Sequence, residues 1–136
     1  MSSKIFIASD VELEEIYHDY DNYNDDYFSL EVAEDVSWYC DKEFGVDINL
    51  CCNEKNMIKI IDYIKDILNR TDCVEIWNIW LDNSEMTKTR TKTVDISILN
   101  TQHIKYILEC EPWDNQDIIN AIGLDIPIYY CLRIVR

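Results

Sequence analysis

Residues 53 to 81 read NEKNMIKIIDYIKDILNRTDCVEIWNIWL, and two periods meet inside this stretch. Met57, Ile60, Ile61, Ile64, Ile67 and Leu68 recur every three or four positions, while Lys55, Lys59, Lys65 and Asp66 fall between them. That spacing puts the apolar residues on one face of a helix. Asn53 offers a side-chain acceptor at its start, so a helix is predicted over 54–69. From Cys73 the period changes. CVEIWNIWL is apolar on both alternating sides, as a strand covered on both faces must be. A one-stripe helix followed directly by a two-sided strand calls for a sheet with helices layered on it.

Working outward, KIFIA (4–8), VDINLC (46–51, after Gly45), TVDISIL (93–99) and IYYCLRIV (128–135, entered through Pro127) read as further strands. The strands at 73–81 and 93–99 are expected to form a hairpin across the polar turn DNSEMTKTRTK. Ser9 and Glu12 have the spacing of a capping box, and Val11, Leu13, Ile16, Tyr17 and Tyr20 give a rough helical stripe to about Tyr20. DYDNYNDD (19–26) is a loop by its turn formers, and residues 27–39 alternate loosely, as a strand or hairpin would. Thr101 to Cys110 reads as a helix with Ile104, Ile107 and Leu108 inward. Gln116 to Ile122 reads as a short helix ending at Gly123. The expectation is an α+β fold: one domain over residues 1–136, with a mostly antiparallel sheet of about five or six strands and helices packed on it.

The chain has 136 residues, six cysteines and two glycines. Its N-terminus lacks the apolar core of a signal peptide, and no stretch approaches the ~18 apolar residues of a membrane helix. A cytoplasmic protein with reduced thiols is expected, its cysteines serving as small hydrophobes.

The charge is concentrated. The net charge is −15, and residues 1–54 hold fifteen Asp and Glu against two Lys. From Glu12 to Asp41 there is no Lys or Arg. Such a block repels itself and does nothing for folding. Nucleic acid and anionic membrane are excluded as partners, since phosphates need Lys and Arg. The complementary partner is basic.

No catalytic or metal pattern emerges. An EF-hand begun at Asp19 meets Tyr23, Asn24 and Leu30 where an acid, Gly and Glu are required. There is no CxxC, and no phosphate-binding glycine loop. The histidines, His18 and His103, lack a neighbouring nucleophile motif. The candidate partner-binding residues are therefore Glu14, Glu15, Tyr17, Asp19, Tyr20, Asp21, Tyr23, Asp25, Asp26 and Tyr27. Tyrosine gives apolar area plus a hydroxyl, and interleaved with acids it suits a basic, partly apolar surface. Two other readings stand beside this one: a solvated acidic loop, and an interface around Trp77, Trp80 and Trp113.

In overall character the chain resembles the bacterial immunity proteins of contact-dependent growth inhibition and other polymorphic toxin systems. The segment 14–35 and the aromatic strand around Trp77 and Trp80 carry the likeness. The resemblance implies a cognate basic toxin domain as partner, with a nuclease expected, no cofactor and no enzymatic activity. The alternatives are a nucleic-acid-mimicking inhibitor of a host nuclease, of the anti-restriction or anti-CRISPR kind, and a small enzyme using His18 or His103.

Overall fold

The computed structural model describes residues 2–17, 27–81, 88–109 and 128–136. Among these residues six strands form one sheet: β1 (Ser2–Ser9), β2 (Phe28–Val32), β3 (Phe44–Leu50), β4 (Cys73–Leu81), β5 (Lys88–Asp95) and β6 (Ile128–Val135), in the order β2-β3-β1-β4-β6-β5. All neighbours are antiparallel except β5 and β6. Helices α1 (Glu54–Ile67) and α2 (Thr101–Glu109) pack on it, an α+β arrangement. None of the described helices is long and apolar enough to cross a membrane.

Helix α1 starts where its cap dictates. The Asn53 side chain accepts the Asn56 amide at 2.8 Å, and Met57, Ile60, Ile61, Ile64 and Ile67 form the buried stripe. Asn56 is fully buried, and its Nδ2 donates to the carbonyls of Tyr27 (3.1 Å) and Cys51 (2.8 Å). One side chain thus ties the helix start to the ends of two strands.

The sheet is covered on both faces. Ile7, Val46, Val74, Ile76, Leu132 and Ile134 join α1 and α2 in the larger cluster. The alternate residues Phe6, Ala8, Trp77, Ile79 and Cys131 form a second cluster with Ala33 and Val36 on the opposite face. There the Phe6 ring stacks on Trp77, 6.4 Å between centroids and 10° between planes. The two-sided reading of 73–81 is thereby explained: β4 lies mid-sheet between β1 and β6.

Three expectations are corrected. The first is the hairpin. β6 lies between β4 and β5, and β5 runs parallel to it. IYYCLRIV must bury both sides and takes an interior place, while the Lys- and Thr-rich β5 suits the edge, where charge discourages further pairing. A parallel neighbour demands a long crossover, and α2 lies within it. The second is the turn 82–92, for its residues 88–92 belong to β5; the expected strand 93–99 correspondingly ends at Asp95 and gives way to a 3-10 turn, Ile96–Ile98.

The third is the helix from Val11 to Tyr20. Residues 11–17 are not helical. The Ser9 hydroxyl accepts the amide of Val11 at 3.1 Å, a serine turn rather than a capping box. Ile16 then exchanges two backbone hydrogen bonds with Leu30 of β2, at 2.9 and 2.8 Å. A helix would set Glu12 against Glu15 at a repulsive spacing; the non-helical path that brings Ile16 to Leu30 avoids it. The loosely alternating stretch 27–39 resolves into β2 and a 3-10 turn, Val36–Trp38. The expected loop 19–26 and helix 116–122 lie outside the described residues.

Candidate functional site: an acidic edge with a cleft

The edge of the sheet at β2 is built from the acidic half of the chain. Glu14 and Glu15 are exposed, and Tyr17 is 68 % exposed. The Glu15 carboxylate accepts the Tyr17 hydroxyl at 2.6 Å and the Val32 amide at 2.9 Å. These two bonds, the hydroxyl's first, hold the Glu15 carboxyl below its ordinary pKa. The same bond raises that of Tyr17. Glu14 lends its backbone: its carbonyl accepts the Tyr63 hydroxyl at 2.7 Å. Burial, with the Glu14 charge behind it, pushes Tyr63 up to about 12.

Tyr27 is half-buried, and its carbonyl accepts bonds from the Cys51 amide and Asn56. Of the described residues of the predicted interface it is the most buried. Asp19, Tyr20, Asp21, Tyr23, Asp25 and Asp26 lie outside the described residues, as does His18.

The cations of this half are already committed. Residues 1–54 contain only Lys4 and Lys42. Lys4 pairs with Asp35 at 3.1 Å and Asp47 at 2.8 Å, and Lys42 pairs with Asp10 at 2.9 Å. Burial pulls both ammonium pKa values down, but the carboxylate partners outweigh it and raise them. Glu12, Glu14, Glu31, Glu34, Asp41 and Glu43 remain exposed and have no ion-pair partner among the described residues.

A cleft of about 340 Å³ opens among them. Leu13, Val32, Ala33 and Phe44 form its apolar walls, Gly45 contributes backbone, and Glu12, Glu34 and Glu43 stand around it. The Ala33 amide donates to the Gly45 carbonyl at 2.9 Å, which fixes one wall against the other.

Trp38 was missed by the sequence reading. It projects from the 3-10 turn and is 80 % exposed. Exposed acids flank it at Glu34 and Asp41. Four of the seven large exposed hydrophobic side chains among the described residues (Ile16, Tyr17, Val32 and Trp38) belong to this acidic part of the chain. The available signal was an aromatic residue inside an acid-rich stretch whose alternation is only loose. Trp77, by contrast, is buried and donates its indole N–H to Glu75 at 3.2 Å. It belongs to the core, which corrects the reading of it as an interface. Trp113 and the side chain of Trp80 lie outside the described residues.

The described cysteines, Cys40, Cys51, Cys52, Cys73 and Cys131, are free thiols, with Cys73 and Cys131 buried and Cys52 exposed. Burial raises the pKa of Cys40, Cys52, Cys73 and Cys131, which keeps them protonated and poorly nucleophilic near neutrality. His103 accepts the Asn100 amide at Nδ1, 3.1 Å, at the start of α2. No group of three or more His, Cys, Asp or Glu among the described residues is arranged to hold a metal.

Neither a family model, nor a curated protein, nor a solved structure matches the chain.

Proposed function

We propose that this is an immunity protein that binds and neutralises a cognate basic toxin domain, a nuclease by preference, in the cytoplasm. One observation carries the reading: both cations of residues 1–54 are consumed by Asp10, Asp35 and Asp47, and the other exposed carboxylates at the β2 edge have no described counter-charge. Folding gains nothing from that arrangement, whereas a basic partner does. A nuclease carries Lys and Arg to hold phosphate, and an acidic face can cover them, arrive quickly and exclude the substrate. The interface extends from Glu14, Glu15 and Tyr17 through the segment of Asp19, Tyr20, Asp21, Tyr23, Asp25, Asp26 and Tyr27, with Trp38 as an added apolar anchor.

The test is capture by the tagged protein of the product of the adjacent gene, followed by binding kinetics. Replacing Asp21, Asp25 and Asp26 by Asn should slow association and leave the circular dichroism spectrum unchanged. Trp38→Ala should act on dissociation, by roughly thirtyfold if the indole is a hot spot of about 2 kcal/mol. A protein that captures no basic partner, or whose variants protect cells as the parent does, would end this reading. Capture of a host nuclease instead would favour the nucleic-acid mimic.

A further inference from the structure

The geometry points to a specific occupant for the cleft at the β2 edge: the side chain of an arginine or lysine presented by a basic protein partner. The inference draws its partner from the immunity reading, but its chemistry from the cleft alone. At about 340 Å³ the cleft is at the small end of the ~300–1,000 Å³ that ligand sites span. It holds a side chain more readily than a cofactor.

Its lining is divided by chemistry. Leu13, Val32 and Phe44 offer apolar wall, and Val32 keeps 52 % of its surface exposed. Glu12, Glu34 and Glu43 supply the charge, and all three are exposed. Lysine and arginine match this division, because their methylene stems lie along apolar surface while the charged head stays at the wet rim. A purely apolar side chain would leave the carboxylates unanswered. A bare metal ion would ignore the walls, and these carboxylates are not among any group arranged to chelate one. Guanidinium, with five N–H donors in a planar fork, can reach separated carboxylates better than ammonium, so arginine should be preferred. The walls are also set in advance. The Ala33 amide donates to the Gly45 carbonyl, continuing the β2–β3 ladder along the lining, and the Val32 amide is held by Glu15, so little ordering remains to oppose binding.

The experiment titrates N-acetyl-argininamide, and separately N-acetyl-lysinamide and N-acetyl-norleucinamide, into the ¹⁵N-labelled full chain at low salt. The amides of Val32, Ala33 and Gly45 should shift most, with arginine ahead of lysine and norleucine far behind. Changing Glu12, Glu34 and Glu43 to Gln should weaken arginine binding about tenfold, since each exposed pair is worth a small factor. The spectrum of the variant reports its fold directly, and the three single variants repeat the measurement should the triple one be disturbed. Equal binding of norleucinamide, shifts spread evenly over Glu14, Glu31 and Asp41, or a Gln variant that binds like the parent would each overturn the assignment. Failure of the cleft and failure of the immunity reading are separable. A cleft that takes arginine in a protein with no toxin partner upholds this inference and removes the other. A toxin bound equally well by the Gln variant does the reverse.

Discussion

At the scale of single residues, the acidic edge depends on positions chosen by space as much as by charge. Gly45 is the sharpest case. A Cβ there would lie 2.2 Å from Val36 Cγ1 and 2.9 Å from the backbone carbonyl of Ile7. The second contact cannot swing aside. Gly45→Ala should therefore destabilise the fold by about 1–3 kcal/mol, as overpacking does. Urea unfolding of Gly45→Ala, Val36→Ala and the double variant would show a coupling above ~0.5 kcal/mol if Val36 is the clash. Strict additivity would mean that the Ile7 carbonyl alone sets the cost. Glu15 makes a second, pH-dependent case. Its carboxyl is held below the ordinary 4.5 by bonds from Tyr17 and the Val32 amide. The folded protein therefore binds that proton less readily than the unfolded chain, so the stabilisation is present above pH 4.5 and fades as pH falls through the lower folded value. The Val32 amide should exchange faster with solvent in that acid window, and in Glu15→Gln the acid-dependent part should vanish. An unchanged pH profile in the Gln variant would show that other carboxylates govern the edge.

At the scale of elements, what could be read from sequence depended on whether an element's neighbours are local. Helix α1 was legible because its signals are its own: the stripe from Met57 to Ile67 and the Asn53 cap act within one segment. The burial of β4 on both faces was legible for the same reason. The pairing of β5 with β6 was not, because it depends on which of two distant strands more needs an interior place. The segment from Val11 to Tyr17 failed most instructively. Its apolar residues fit a helical stripe, yet the segment's polar and backbone groups are taken by contacts from outside: the Ile16–Leu30 bridge, the Glu15–Val32 bond, the Tyr63 hydroxyl on the Glu14 carbonyl, and Arg70 on the Glu12 carbonyl at 3.3 Å. Tertiary bonds overrode a weak local preference. The acidic character of the site was plain in the composition, whereas the cleft depends on three segments distant in sequence, around residues 12–13, 32–34 and 43–45, and Trp38 projects from a short 3-10 turn. The segment should open as a unit. Tyr63→Phe removes one of its ties and should cost about 1 kcal/mol. Hydrogen exchange at Ile16 and Leu30 should quicken, while Ile60 and Ile64 in the middle of α1 stay protected. Equal acceleration at all four amides would make the segment part of the global unfolding unit rather than an appended one.

At the scale of the whole molecule, the charge works in opposite directions in folding and in binding, and salt separates the two. The chain carries −15, and the surplus is densest in residues 1–54, where Lys4 and Lys42 are already engaged by Asp35, Asp47 and Asp10. If the remaining exposed carboxylates repel one another across the surface, screening them must stabilise the fold. Raising ionic strength from about 0.1 M to 1 M shortens the screening length from about 10 Å to about 3 Å. The urea midpoint should therefore rise over that range. Association with a basic partner should change the other way, because the same charges steer the encounter and are screened by the same ions. Its on-rate should fall by tenfold or more, while the off-rate, set by apolar anchors such as Trp38, changes little. Two measurements on one protein, denaturation and binding kinetics across a salt series, thus have slopes of opposite sign. A urea midpoint that falls with salt would mean that the carboxylates are compensated within the fold, and the surplus charge would no longer mark a surface kept for a partner. An on-rate indifferent to salt, with the midpoint still rising, would leave the repulsion real but the partner's contact elsewhere, on a face where charge does not govern the approach.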